Sequence, residues 1–461
     1  MRLGCPLSPL LYVLVSEVLA VNIRCNRRIS GLCLPGSSVF SPISQYADDT
    51  SLILSSDDAI KAVFESYALF EKASGARLNQ SKSKGLWLGG WTGRSDPPVD
   101  LEWISTKIKV LGVFIGPGNL EEDNWRPRID AVDRVLKSWR SRALSFRGKA
   151  LVINALALSR VWYVASLIHM PAWVLKELSF LAFSFFWGGK IELVSRSSVS
   201  LSPLFGGFSV VHVKFKVWSL LGQWVKRFAS SSACWISFLT FWCRVHFNAS
   251  PLEVFSNPFS FSPRALPPFY HSLLLAWRNL GGSFSSSRNS LVYGSSSCHA
   301  SSAVSNMSTK ICYLYLLSEN ISPPHCVTKF APVYGDLHWS TTWRSLSFFD
   351  VDRQVIDLNW KIVHGVLLTA QRLVRFGLSV PLSCFCGSPV ESLEHLFFFC
   401  PLAQCVLSWL QSLMFNFSHM CPALICHHAL FGFSSDELRV TPRIFVYLLN
   451  VCKFVKTLKT L

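Results

Sequence analysis

Two places in this 461-residue chain gather side chains that can hold a metal ion. The first is Asp48-Asp49, within Ser44-Gln45-Tyr46-Ala47-Asp48-Asp49-Thr50-Ser51-Leu52-Ile53-Leu54. Adjacent carboxylates repel each other, and apolar, β-prone neighbours do not screen them. A hard divalent cation such as Mg²⁺, which takes oxygen ligands, is the commonest reason to keep them together. The second is Cys384-Phe385-Cys386-Gly387, followed by His395 and Cys400. One residue lies between the first two cysteines, eight lie between Cys386 and His395, and four between His395 and Cys400. Three thiols and one imidazole within seventeen residues are the ligand types of a tetrahedral zinc site. The alternative for the first set is a polar hairpin tip. For the second it is buried cysteines in a helical hairpin, with His395 on a partly apolar face.

Several elements must position these groups. Gly4 permits close backbone approach just before Ser8-Pro9, which suits the N-cap and first position of a helix running into Leu10-Leu11-Tyr12-Val13-Leu14-Val15. A break at Pro35-Gly36-Ser37-Ser38 precedes the Asp48-Asp49 hairpin. Asp57 or Asp58 caps the next helix, whose apolar positions Ile60, Val63, Phe64, Tyr67 and Phe70 fall at helical spacing, and Gly75 ends it. Asn79, Lys82 and Lys84 follow in a polar turn, and residues 85–89 and 109–116 read as strands. The order is α+β. From Asn124 to His169 the pattern is helical, with Trp125, Ile129, Val132, Leu136 and Trp139 interleaved with Arg and Lys. Leu358, Ile362, Val363, Val366 and Leu367 mark a helix after Asp357, and Thr369 can cap a second that ends at Gly377.

Four segments come in a fixed order: Gly4-Cys5-Pro6-Leu7-Ser8-Pro9-Leu10-Leu11-Tyr12, Tyr46-Ala47-Asp48-Asp49, Ser74-Gly75-Ala76-Arg77-Leu78-Asn79-Gln80-Ser81-Lys82-Ser83 and Leu111-Gly112-Val113-Phe114-Ile115-Gly116. Together they resemble the second half of the reverse transcriptase of non-LTR, LINE-type retrotransposons. Residues 360–409 resemble the zinc-binding domain that follows it, although that family usually places two residues between its first two cysteines. The resemblance implies an RNA-directed DNA polymerase that works by two-metal nucleotidyl transfer on an RNA template and a DNA primer. It assigns Asp48 and Asp49 to Mg²⁺ or Mn²⁺, with Asp48 the principal ligand. Lys82 is placed near the triphosphate as phosphate contact or general acid, with a solvated turn lysine as the alternative. Gly4, Ser8 and Tyr46 are placed at the template and nucleotide pocket. Cys384, Cys386, His395 and Cys400 are assigned to Zn²⁺.

The resemblance divides the chain into a partial palm at 1–120, a helical thumb and connector at 121–228, a small helical zinc-binding-like module at 341–430 and a tail at 431–461. Composition reads 229–340, rich in Ser, Phe and Pro, as a weakly constrained linker with a few helices. The family's third carboxylate lies on a strand upstream of the Gly4 segment, and Leu3 stands where the family usually has a glutamine. The expectation is therefore a chain inactive as a polymerase on its own, its N-terminal palm and fingers supplied by another polypeptide or lost, with apolar edges left exposed.

Composition adds bounds. Lys and Arg total 44 against 27 Asp and Glu, a net charge of +17 that favours a polyanionic partner such as nucleic acid. Half of the residues are hydrophobic and the mean hydropathy is +0.34. The apolar run Leu7–Val21 holds Glu17 and reads as too short to span a bilayer. Fifteen cysteines without a secretory signal pattern argue for thiols rather than a disulfide framework. An intracellular protein with no membrane association is the resulting expectation.

Overall fold

The computed structural model describes residues 6–33, 42–231, 233, 235–294, 301–335, 337–346, 352–417, 419, 421–434, 436–441, 446, 448–450 and 452. Gly4, with Leu3 and Cys5, lies outside them. Two units emerge, each assembled from separated stretches: 1–130 with 161–174 and 217–313, and 131–160 with 175–216 and 314–461.

In the first unit, helix α1 (Leu7–Cys25) buries Leu19, Ala20 and Ile23 against α2 (Asp57–Ser74) and Ile43 of the hairpin. Pro6 occupies the N-cap of α1, so Ser8 and Pro9 fall in its first turn rather than at its cap. The first turn tolerates proline because its N–H groups have no partner within the helix. Leu10, Val13, Leu14 and Val18 of α1 face solvent. Among the described residues α1 is long and apolar enough to cross a membrane, so its run is longer than the sequence reading allowed. Exposed apolar side chains lie on this helix and also on strand residues such as Ile115. Ser56, not Asp57 or Asp58, caps α2, its Oγ accepting from Ala59 N–H at 3.1 Å. Gly75 ends α2 in the left-handed region, φ 73°.

The strands form small separate sheets. β1 (Ile43–Tyr46) pairs antiparallel with β2 (Asp49–Leu52), and β3 (Lys84–Leu86) pairs parallel with β4 (Glu102–Ile104). The 109–116 run is not one strand. It folds into β5 (Ile108–Val110) and β6 (Val113–Ile115) about Leu111 (φ 46°) and Gly112 (φ 83°). Two successive positive φ values make the tight hairpin turn whose twist matches its strands. The expected basic helix is α3 (Glu121–Trp139), with Trp125, Ile129, Val132 and Leu136 buried.

Residues 229–340 carry more order than their composition signals. Helices at Trp235–Phe247, Pro251–Ser256, Pro268–Asn279 and His325–Tyr334 accompany β7 (Ser283–Ser285), β8 (Ser290–Tyr293) and β9 (Ser302–Ala303). Trp277 is fully buried, its Nε1–H donating to Phe255 O at 2.8 Å.

The second unit is built on aromatic packing. Helix α4 (Phe146–Leu151) brings Phe146 against Phe186, Trp187, Phe208 and Trp360, with ring centroids 5.0–5.6 Å away. Trp360 lies on the helix Arg353–Val363, and Asp357 of that helix accepts the Phe146 N–H at 2.9 Å. Asp357 thereby satisfies an N–H at the start of α4, an end that has no partner within the helix.

Candidate metal centre

The second unit brings the cysteine–histidine set together from local turns. The helix Ala370–Arg375 begins without a side-chain cap from Thr369. Glu391 does that work from twenty-one residues away: its Oε1 accepts the Ala370 N–H at 3.0 Å and its carbonyl the Gln371 N–H at 3.2 Å. The Glu391 N–H in turn donates to Leu382 O at 2.8 Å, which pins both ends of the cysteine turn. Inside it, Gly387 N–H donates to Cys384 O at 2.9 Å and Cys384 N–H to Ser388 O at 2.8 Å. Gly387 sits at φ 91°, open to glycine and strained for other residues.

His395 and Cys400 come from the next turn. Ser392 Oγ accepts the His395 N–H at 3.0 Å, and Cys400 N–H donates to His395 O at 2.8 Å across the widened turn His395–Phe399. Cys400 then precedes the helix Pro401–Phe417. The result places Cys386 Sγ 3.2 Å from His395 Nε2, with the ligand atoms of Cys384, Cys386, His395 and Cys400 all within 4.8 Å of one another. Cys384 and Cys400 are buried.

Bonds of about 2.0–2.3 Å to a tetrahedral zinc ion put its ligand atoms roughly 3.5–3.8 Å apart. The set therefore needs only small adjustment, and the single-residue spacing of Cys384 and Cys386 is accommodated by the tight turn. Burial pushes the Cys384 thiol up; the Cys386 backbone N–H pulls it down, and the Cys386 and Cys400 side chains push it up. A divalent cation at this point would offset those effects and favour thiolates.

A second cluster, His427, His428 and Glu437, was not singled out by sequence, because no motif spacing marks it. His428 is buried and both its ring nitrogens are engaged. Nδ1 accepts the Ile425 N–H at 3.2 Å, and Nε2 meets Glu437 Oε1 at 2.8 Å. The other Glu437 oxygen accepts the Ser434 N–H at 2.8 Å. These bonds join Ile425, His428, Ser434 and Glu437 and leave no ring nitrogen of His428 free for a metal.

The carboxylate pair is arranged differently. Tyr46 pairs with Asp49 at the hairpin end, and Ala47 and Asp48 form the turn. Ala47 is held at φ 53°, a conformation alanine rarely adopts. Tyr46, Asp48 and Asp49 are all exposed. Among the described residues, no third Asp, Glu, His or Cys joins the two aspartates in a group that could close on one ion. Asp57 is held by Arg94 through two bonds of 2.6 and 2.7 Å, and Asp58 by Arg28 at 2.9 Å. Lys82 lies exposed in a turn, its N–H donating to Asn79. Ser8 is half-buried in the first turn of α1. The structure thus assembles the cysteine–histidine set, and it holds Tyr46, Asp48 and Asp49 on one hairpin.

Comparison with known proteins bears on the cysteine–histidine region. Residues 337–407 match the family described as zinc-binding in reverse transcriptase, and all four ligands lie inside that match. The chain is also 30% identical over 287 residues to the "Transposon TX1 uncharacterized 149 kDa protein" of Xenopus laevis. That alignment takes in 60% of this chain and 22% of the relative, so the chain spans about a fifth of that protein's length. On these two findings, residues 337–407 resemble the zinc-binding region found in reverse transcriptases, and the chain resembles a transposon protein over 287 residues.

Proposed function

We propose that this chain is a nucleic-acid-binding protein whose C-terminal module is clipped by one Zn²⁺, and that it does not polymerise DNA on its own. The observation that carries the reading is the convergence of Cys384, Cys386, His395 and Cys400 within 4.8 Å, inside the matched residues. A net charge of +17 supports RNA or DNA as the partner. Zn²⁺, when bound, supplies a structural cross-link rather than chemistry, because four protein ligands leave no open position. The cysteine turn, Ser392 and Glu391 pre-orient those ligands.

For nucleotidyl transfer, Mg²⁺ bound at Asp48 and Asp49 would stabilise charge on the phosphate and the leaving oxygen. The exposed pair has no third ligand among the described residues, which supports inactivity of the isolated chain.

Three measurements test the proposal. Purified chain should contain one zinc by inductively coupled plasma mass spectrometry, and Cys386→Ser and His395→Ala should each lose it; zinc-free wild type would refute the clip. Filter binding to RNA across a salt series should show affinity falling steeply with salt. Primer extension on poly(rA)–oligo(dT) with Mg²⁺ or Mn²⁺ should give no product. Incorporation that Asp48→Asn abolishes would make the chain an active polymerase.

A further inference from the structure

Phe385 stands out on the surface of the second unit. The residue is 91% exposed, more than any other large hydrophobic residue described. The local fold explains why. Cys384 and Cys386, on either side, both turn their sulfur atoms to the four-ligand set. A residue between two inward-facing neighbours in a tight turn must face out. Small residues surround it in the chain, with Ser383 before the turn and Gly387 and Ser388 after it, so the ring is not part of a continuous apolar run. A face-to-face protein partner would favour such a run; a single flat ring suits a flat ligand.

Basic side chains lie on and beside the helix that Glu391 joins to the same turn. Lys329, Arg372 and Arg375 lie within electrostatic reach of one another, with Glu394 as the opposing charge. Both arginines are on the helix Ala370–Arg375, whose N-terminus Glu391 bonds to the cysteine turn. Aromatic rings beside basic groups bind single strands, because every unpaired base offers a face to stack and every nucleotide a phosphate to attract.

The geometry points to Phe385 as a stacking platform for an unpaired base of single-stranded nucleic acid, with the phosphates drawn toward Lys329, Arg372 and Arg375. This rests on the nucleic-acid-binding reading and specifies it: unpaired bases are held at the zinc turn and a closed duplex is not.

The test uses the zinc-loaded full chain with a labelled oligo(U) and a fully paired RNA duplex. Phe385→Ala and Phe385→Leu should weaken oligo(U) binding about 10-fold. The salt slope should stay unchanged, because no phosphate contact is lost. Phe385→Trp should bind at least as well as wild type, duplex affinity should not change, and zinc content should hold at one per chain throughout. Unchanged oligo(U) affinity in the alanine and leucine variants, with wild type still binding, overturns the platform and leaves the nucleic-acid reading standing. Wild type binding neither probe overturns both. Should Phe385→Ala lose zinc, the bulky pair decides: leucine weak with tryptophan strong supports stacking, and equal affinities overturn it.

Discussion

The carbonyl of Gly206 gives a sharp test of how the zinc-binding region is held. It is buried and accepts two hydrogen bonds, from Trp360 Nε1–H at 2.8 Å and from His364 Nε2 at 2.8 Å. Burial holds the His364 ring down to about 4, so at pH 7.5 it is neutral and its one proton serves this bond. Trp360→Phe removes one donor and part of a buried ring, at a cost of about 2 kcal/mol. His364→Phe removes the other donor while keeping an aromatic ring, at about 1 kcal/mol. Either single change leaves the carbonyl with a donor. The double change orphans it, and a buried acceptor without a partner costs about 1–3 kcal/mol more. The pair should therefore be worse than the sum of the singles by about 1–3 kcal/mol. Urea unfolding of the four zinc-supplemented proteins at pH 7.5 measures that coupling. Additivity within about 0.5 kcal/mol would refute the shared-acceptor argument.

Two further outcomes follow from the second unit. Burial pushes the Asp357 carboxyl up to about 6 from 3.8, against the Phe146 N–H and the nearby Lys361 and Lys149, which pull it down. The folded chain then holds this proton more tightly than the unfolded one, so the contribution is full below pH ~4 and is lost as pH rises through 6, worth up to roughly 3 kcal/mol. Asp357→Asn keeps an acceptor for Phe146, and its stability relative to wild type should rise between pH 4.5 and 7; an offset that is the same at both pH values would contradict this. Chelation of zinc should open the 382–400 turn first, so limited proteolysis with EDTA should cut there before elsewhere in 353–417, and a cleavage pattern indifferent to EDTA would count against a metal-held turn.

What the sequence made legible was local. The buried stripe of α3 followed from the spacing of Trp125, Ile129, Val132 and Leu136. Gly75 ended α2 as its position implied. The candidate metal ligands could be named because all four fall within seventeen residues, and thiol and imidazole types are informative. What stayed hidden depended on distant partners. Glu391 capping the Ala370 helix, Asp357 capping α4 and Gly206 receiving two side chains leave no periodic signature. The strand read at 109–116 split at Leu111-Gly112, because apolar periodicity does not register two residues with positive φ when only the second is glycine. Residues 229–340 looked like a linker because serine runs masked a core around Trp277 and Phe255.

The same distinction separates the two metal candidates. A clip whose ligands are close in sequence can be completed by two short turns, and here Glu391 and Ser392 lock those turns from just outside. A carboxylate pair at a hairpin tip is different in kind. Asp48 and Asp49 can present oxygens, but a two-metal centre needs about three carboxylates converging, and nothing within the hairpin can provide the third. The nearest candidates by sequence, Asp57 and Asp58, are bound to Arg94 and Arg28. Freeing either would sacrifice an ion pair and put a third negative charge beside two others. The strained Ala47 turn keeps the pair on display without closing it. The hairpin therefore presents two carboxylates without a third, whereas the C-terminal turns bring four side chains of metal-ligating type within 4.8 Å of one another from neighbouring stretches of chain.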